Sequence, residues 1–330
     1  MWNFKPLLTT KGHLISLHVS FPQATKTTET LADLECLGNL VIMTDKYKHS
    51  SGARKPKQKK HKRRSPRPHP EAAYKPGGSQ QRQSSGDWIY GTHAVLAALA
   101  NAERKCLRIV LSSTASAGLE NDIEQACSIV SGRPNPESLN REQIGALLPP
   151  GAVHQGLALL ASPLAGVTIE DVIKNTQSKA EASVVVLDQA TDPRNVGAVM
   201  RSAAAFGASA VIVQDRHAPP LTGALSKAAS GAVEWVALVR VVNLARAIAS
   251  LKDAGYWAAG LDSGAGGTLA QADLSGRVAL VLGAEGSGLR RLTRDTCDEL
   301  LKVPVADDSD SLNLSNAAAV ALYELNRQRG

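Results

Sequence analysis

Apolar positions first become regular at Asp87. Trp88-Ile-Tyr-Gly reads as a short strand or turn, and His93-Ala-Val-Leu-Ala-Ala-Leu as an apolar-faced helix behind it. Leu107 to Leu111 reads as a strand. Leu119 to Val130 has the helical period, with Leu119, Ile123, Ala126, Ile129 and Val130 as its apolar positions. Arg141 to Leu147 reads as a short helix and Gly156 to Ala161 as a closing strand, giving a compact α/β module over 87–162. Pro163 to Ala182 reads as a connection.

From Ser183 onward strands and helices alternate. Val184 to Leu187 is a continuous apolar run, the pattern of a strand buried on both faces. Helix Val196 to Phe206, strand Ala210 to Val213 and helix Leu221 to Ala229 follow, then strand Trp235 to Val241 and helix Leu244 to Ala254. Strands Trp257 to Leu261 and Val278 to Leu282 come next. A short helix from Leu289, a strand Leu301 to Val305 and a last helix Leu314 to Arg327 complete the pattern. The alternation predicts an α/β fold over 183–330, with a mostly parallel sheet and helices on both sides.

The chain before Asp87 is different. Residues 1–42 have no clear period, and Met43, followed at once by a polar, basic stretch, is a second candidate start. The opening is Thr-rich and acid-poor as far as Thr28 but lacks an apolar core and a small-residue cleavage site, which argues against a targeting peptide. Arg54 to Arg67 carries nine Lys/Arg in fourteen residues, a run that repels itself and buries nothing. Pro, Gly, Ser and Gln continue as linker to Gly86, so residues 1–86 read as a disordered extension with a basic tail.

Charge sharpens that division. Residues 1–86 hold 16 Lys/Arg against 5 Asp/Glu, a balance of +11, whereas residues 87–330 hold 21 against 25, a balance of −4. The basicity belongs to the tail, which reads either as a solubilising segment or as an arm for RNA phosphates. Across all 330 residues aromatics are only 4%, so the core is built from Ala, Val and Leu. No apolar run reaches the ~18–20 residues of a membrane helix. Cys36, Cys106, Cys127 and Cys297 form no C-x-x-C pair, against a zinc ribbon or a disulfide scaffold. The expectation is a reduced, cytoplasmic protein without a metal or membrane partner.

Three segments combine small, polar and charged residues where strands end, the place open α/β sheets reserve for their sites. The first runs from Asp192 to Gly207. Asn195 stands at a plausible helix start, where its amide can cap open N–H groups. Arg201, about 120° around that helix, sits among Met200, Ala203 and Ala204, a setting that calls for an anion or a carboxylate. The second is Gly283-Ala-Glu285-Gly-Ser-Gly-Leu. Its glycines permit close backbone approach, but the spacing is G-x-x-G-x-G, which disfavours a nicotinamide-dependent oxidoreductase. The third, Ser311-Leu-Asn313-Leu-Ser, opens the last helix and offers neutral hydrogen-bonding groups.

Together these segments resemble the SpoU (TrmH-type) family of RNA ribose 2′-O-methyltransferases, within the SPOUT superfamily. Asn195-x-Gly-Ala-x-x-Arg201-Ser-x-x-Ala-Phe-Gly matches the first family motif, Leu282-Gly-Ala-Glu285-Gly the second, and Ser311-Leu-Asn313-x-Ser315 the third. Ile89-Tyr-Gly-Thr-His93-Ala-Val and Val153-His-Gln-Gly156 also look like the substrate-binding domain of the branch acting on a 23S rRNA guanosine. The resemblance implies a C-terminal trefoil-knotted domain, one of the rare exceptions to unknotted topology, and a smaller N-terminal RNA-binding domain. It implies S-adenosyl-L-methionine held by Gly283, Val303 and Leu312, and a homodimer. It also implies catalytic roles for Arg201, Asn195, Glu285, Ser311 and Asn313. Val305-Ala-Asp-Asp-Ser-Asp310 departs from the Met-x-Gly form of relatives, and Asn316 stands where relatives often carry Val.

A guanidinium has no acceptor and a pKa above ~12, so Arg201 is a poor base. It either grips a phosphate and stabilises the developing alkoxide or loses its proton only in the closed complex. Asn195, Ser311 and Asn313 would orient ribose and Arg201, and Glu285 would position Arg201 or an RNA amine. His93 and His154 read as structural or RNA-contacting residues, and His217 as a loop residue. The substrate expected is 23S rRNA. A tRNA ribose methyltransferase and a non-catalytic RNA-binding or ribosome-assembly factor of the same fold are the alternatives, and the nucleotide is not fixed by the sequence. Deleting residues 1–86 is expected to weaken RNA binding and flatten its salt dependence, since each phosphate contact releases counterions. A filter-binding series over salt checks this, and an unchanged slope rules out the arm.

Overall fold

The computed structural model describes residues 86–216, 218–306 and 312–330. The basic run, His217, Ser311 and the Asp307–Asp310 stretch lie outside the described residues. In the first part of the fold, β1 (Asp87–Tyr90) leads into α1 (Thr92–Ala100), then β2 (Cys106–Ser112), α2 (Ala117–Ile129), β3 (Pro136–Leu139), α3 (Arg141–Leu147) and β4 (Leu157–Ala161). The strands form a mixed sheet in the order β1-β4-β2-β3, antiparallel except for β2 with β3. Side-chain alternation divides its core. Ile109, Leu111, Leu157 and Leu159 face α1 and α2, while Val110 and Ala158 face Ile144 of α3. Strand β3, Pro-Glu-Ser-Leu, was not foreseen because its pattern is exposed and polar.

The stretch read as a connection contains α4 (Ile169–Thr176). Its start is a capping box: the Thr168 hydroxyl accepts the Asp171 amide, and the Asp171 carboxylate accepts the Thr168 amide. The helix buries Ile169 and Val172 against the large sheet. Its apolar positions Ile169, Val172 and Ile173 do follow the helical spacing, but they are set in a polar stretch that reads as a connection.

The second part comprises β5 (Ala182–Leu187), α5 (Pro193–Ala205), β6 (Ala210–Gln214), α6 (Gly223–Ala228), a single 3₁₀ turn (Ala232–Glu234), β7 (Ala237–Val241) and α7 (Leu244–Asp253). It continues with β8 (Trp257–Leu261), β9 (Gly267–Thr268), β10 (Arg277–Leu282), α8 (Arg291–Thr296), β11 (Glu299–Lys302) and α9 (Leu314–Arg329). Seven strands form one sheet in the order β7-β6-β5-β10-β8-β11-β9, every neighbouring pair parallel. Val185 and Leu187 point to α5, α6 and α9, whereas Val184 and Val186 point to α4 and α7. Each such buried Val or Leu contributes roughly 1.5–3 kcal/mol relative to exposure. Strand β11 starts and ends earlier than the sequence pattern suggested, because Val303 already leaves the ladder. No helix among the described residues is long and apolar enough to cross a membrane.

The two parts meet along the segment from α6 to the 3₁₀ turn. A Cβ on Gly223 would stand 2.4 Å from the Trp88 carbonyl oxygen, and one on Gly231 2.4 Å from the Ala97 Cβ, so neither position tolerates a side chain. Beside them Glu234 is buried against Arg104: Nη2 to Oε1 is 2.6 Å and Nε to Oε2 3.1 Å, with side-chain exposures of 0% and 4%. Asn101 donates to the same carboxylate at 2.8 Å, and Arg104 also donates to the Ser162 carbonyl at 3.0 Å. This satisfied, bidentate pair fixes the small sheet to the large one. Breaking a buried pair strands a charge at a cost of about 3–5 kcal/mol, whereas apolar replacement of both partners is often neutral. Glu234→Ala is therefore expected to lower the unfolding free energy in urea by about 3 kcal/mol. The double variant Arg104→Met/Glu234→Leu should recover most of that loss, and equal losses in both would contradict the assignment.

Candidate active site

Parallel strands end at one edge of the sheet, so the loops after β5, β8, β10 and β11 converge there. The loop after β10 closes tightly on itself. Ala284 and Gly288 exchange backbone hydrogen bonds, Ala284 N–H donating at 3.2 Å and Gly288 N–H at 2.9 Å, and Gly286 and Gly288 take φ values of 79° and 65°. At Gly283 the constraint is space: a Cβ would lie 2.0 Å from the Gly288 carbonyl carbon. The close approach that the glycines permit is thus, at this position, an approach of the chain to itself.

The far end of the loop is pinned by a pair that sequence reasoning missed. Asp188, at the end of β5, has a fully buried side chain, and Arg290 binds it with Nη2 and Nε at 2.6 and 2.7 Å and with its backbone amide at 3.1 Å. The available signal was an aspartate closing an all-apolar strand run.

Three motif residues from three segments meet on one oxygen. Glu285 Oε1 accepts the Asn195 amide at 2.8 Å, the Asn313 amide at 2.6 Å and the Leu314 backbone N–H at 3.3 Å. The Asn313 amide also lies 3.2 Å from Asn195 Oδ1. Asn313 is at the same time the N-cap of α9, its Oδ1 accepting from Ser315 N at 2.9 Å, Ser315 Oγ at 2.6 Å and Asn316 N at 3.4 Å. Asn195 differs from expectation. The cap of α5 is Asp192, which accepts the Arg194 amide at 2.9 Å, and Pro193 follows as the first helical residue. Asn195 therefore sits inside the first turn with its amide free to reach Glu285.

Arg201 is exposed, and its side chain makes no hydrogen bond or ion pair among the described residues. The carboxylate partner expected for it is not needed, because the side chain leaves the Ala-rich face for solvent. Glu285 is committed to the two asparagines rather than to Arg201. Val303 packs half-buried on the main core, and Gly283 and Leu312 are half-buried as well. Cys297 packs on the α4 and α7 face of the large sheet, where a Cβ on Gly260 would come 3.0 Å from its sulfur. Burial, then the neighbouring Asp298 carboxylate, pushes its thiol up to about 11, so it stays protonated and is no nucleophile at neutral pH.

This geometry can be set beside known proteins. Residues 182–323 match the SpoU rRNA Methylase family, and residues 88–166 match the RNA 2′-O ribose methyltransferase substrate binding family. An uncharacterized tRNA/rRNA methyltransferase of Synechocystis is 39% identical over 262 residues, which cover 78% of this chain and 67% of the relative. The 23S rRNA (guanosine-2′-O-)-methyltransferase RlmB of Escherichia coli K12 is 38% identical over 246 residues, covering 74% of this chain and 99% of the relative. Among solved structures, the SpoU methyltransferase AviRb of Streptomyces viridochromogenes in complex with the cofactor AdoMet shares the fold. Its TM-score is 0.61 at 21% identity, over 74% of this chain and 91% of that one. The family match to the part of the chain that carries all three site segments, and the near-complete coverage of a relative at this identity, place the chain in the SpoU rRNA methylase family.

Proposed function

We propose that this chain is an S-adenosyl-L-methionine-dependent RNA ribose 2′-O-methyltransferase acting on a guanosine of 23S rRNA. The observation that carries the reading is the convergence of Asn195 and Asn313 on one oxygen of Glu285 at the strand edge, Asn195 lying on the helix that also presents Arg201. The name borne by RlmB relatives at 38% to 45% identity supports the substrate. The division into an extension at 1–86, a substrate-binding domain at 87–162, a linker at 163–182 and a methyltransferase domain at 183–330 belongs to the same reading. A trefoil knot in the last of these is supported by the threading of β11: Leu301 pairs with Leu261 on one side and Gly267 on the other, so residues 262–266 bridge across it. A homodimer is supported by the exposed Val320 and Tyr323 on α9, with Tyr323 edge-on to Phe206 at 6.2 Å.

The residues present fit the cofactor. Gly266, Gly286 and Gly288 border open space, where a Cβ would meet nothing within 4 Å, so backbone groups of both loops are accessible. Gly283, Val303 and Leu312 would hold it, largely through their backbones. Once bound it supplies an electrophilic methyl on a sulfonium. In-line attack requires the 2′-oxygen to be aimed along the methyl–sulfur axis, so orientation is the protein's main task. With the cofactor in place its methyl would pass to the 2′-oxygen, so these residues would have to orient the hydroxyl and let its proton go to solvent. Arg201, with five donors and no acceptor, clamps an adjacent phosphate and stabilises charge developing on the oxygen. Glu285 acts through Asn195 and Asn313: it fixes Asn313 as the cap of α9 and holds the Asn195 amide, so that the second lone pair of Asn195 Oδ1 is the edge left to orient the ribose. Ser311 joins them on the strength of its motif.

Transfer of labelled methyl to unmodified 23S rRNA and to bulk tRNA in parallel, mapped by fragment mass spectrometry, tests the reading. A ribose methyl on one rRNA guanosine is expected, and label in tRNA alone overturns the substrate. Arg201→Lys keeps the charge but loses the fork. Its kcat should fall about 10²-fold, the scale of losing one preorganised donor, and wild-type activity would exclude a bidentate role. Gly283→Ala forces the loop open at a cost of roughly 1–3 kcal/mol. Calorimetry should read about tenfold weaker cofactor binding in that variant.

A further inference from the structure

A basic cluster spans the junction of the two parts, outside the site described above. Lys227, on α6, donates to the Val153 carbonyl in the loop before β4. Two residues on, the Gln155 side-chain oxygen accepts the Thr92 backbone amide at 3.2 Å, at the start of α1. Gly91 fits between them: a Cβ there would lie 3.2 Å from Gln155 Oε1 and 3.3 Å from Lys227 Cγ. Gln155 itself holds a left-handed φ of 57°, a strained conformation for a residue with a side chain. His93 follows Thr92 in α1, and Arg141, the first residue of α3, is close enough to His154 for its charge to act there; both are exposed. Burial most of all, and then the charges of Arg141 and Lys227, hold the His154 pKa below the usual imidazole value. His154 Nδ1 accepts the Gly156 amide at 3.2 Å, which leaves Nε2–H as a donor. None of Lys227, Arg141 and His93 forms an ion pair among the described residues.

The cluster is continuous with the catalytic helix. A Cβ on Gly197 of α5 would stand 2.6 Å from the Ala228 Cβ, so α5 lies directly against the end of α6, one residue from Lys227. Arg201 is four residues beyond Gly197, on the same side of α5. The buried Arg104–Glu234 pair keeps the two sides of the junction at a fixed spacing.

We infer that this junction is a phosphate-binding track that leads the RNA strand from the small sheet to Arg201, with Lys227 and Arg141 neutralising backbone phosphates and His93 and His154 donating hydrogen bonds. The inference rests on the reading of the chain as an RNA methyltransferase and names residues from both parts as one surface. Uncompensated cations on a body that is otherwise net acidic suit a polyanion, and lysine binds phosphate as a point charge without needing a planar partner. Because the track and the site are rigidly joined, phosphates seated on it set which nucleotide reaches the 2′-oxygen position.

The test uses the full-length protein and unmodified 23S rRNA, with binding measured over a salt series and methyl transfer measured in parallel. Arg141→Gln and Lys227→Gln are each expected to make the slope of log K against log[salt] shallower by about 1. Each should also raise KM for RNA about tenfold, the weight of one charge-assisted contact, with a smaller change in kcat. Lys227 also anchors the Val153 loop, so Arg141→Gln, which removes no internal hydrogen bond of the described residues, decides if Lys227→Gln fails to fold. Wild-type slopes and KM in Arg141→Gln overturn the track. A wild-type protein that methylates no rRNA, with slopes that still fall in the variants, overturns the substrate reading and upholds the track.

Discussion

One carboxylate oxygen gathers the candidate active site of this protein. Glu285 Oε1 takes hydrogen bonds from Asn195 and Asn313, which are 118 residues apart in the chain, and from the first amide of α9. That oxygen can be in place only if the loop after β10 is closed, and closure depends on the missing side chain at Gly283 and on the grip of Asp188 on Arg290. Both depend in turn on parallel strands that all end at the same edge. A carboxylate among amides, with an unencumbered guanidinium on α5, suits the proposed work of orienting a hydroxyl and holding negative charge.

Much of this was legible from residue patterns. The continuous apolar run at 184–187 gave the doubly buried strand, and the three motif segments fell where strands end. What escaped has physical causes. Strand β3 is polar because only Leu139 of its four residues packs on the core, and α4 sits in a polar stretch that reads as a connection although its apolar spacing and its capping box at Thr168 and Asp171 were readable. The cap of α5 was assigned to Asn195 because a side-chain amide can cap as well as an aspartate can. Only the backbone geometry shows that Asp192, ahead of Pro193, takes that place and releases Asn195 for Glu285. Likewise an arginine among alanines suggests a buried pair until its exposure is known.

The junction between the sheets follows a different logic, since small residues there do what motifs do elsewhere. Gly223 and Gly231 bring α6 and the 3₁₀ turn to within backbone distance of β1 and α1, and Glu234 then meets Arg104 with both side chains almost fully buried. A charge pair so enclosed adds little net stability over apolar packing. What it contributes is a single allowed arrangement, since sliding either part would strand a charge. The small sheet is thereby part of the same rigid body as the catalytic edge, which suits a protein that must select one ribose in a large folded RNA.

Strand β11 carries a consequence for how the molecule is made. It lies between β8 and β9, both of which precede it in the chain, and it pairs with each. As the chain emerges during synthesis, the sheet cannot be completed in order, because its interior place stays vacant until one of the last segments arrives. Non-local parallel pairing of this kind is slow and leaves strand edges open in the meantime. The final thirty or so residues, which include α9 and its cap Asn313, therefore close both the sheet and the catalytic edge in one late event. Chains cut short by even that much would present unpaired strands to their neighbours instead of a weakened enzyme.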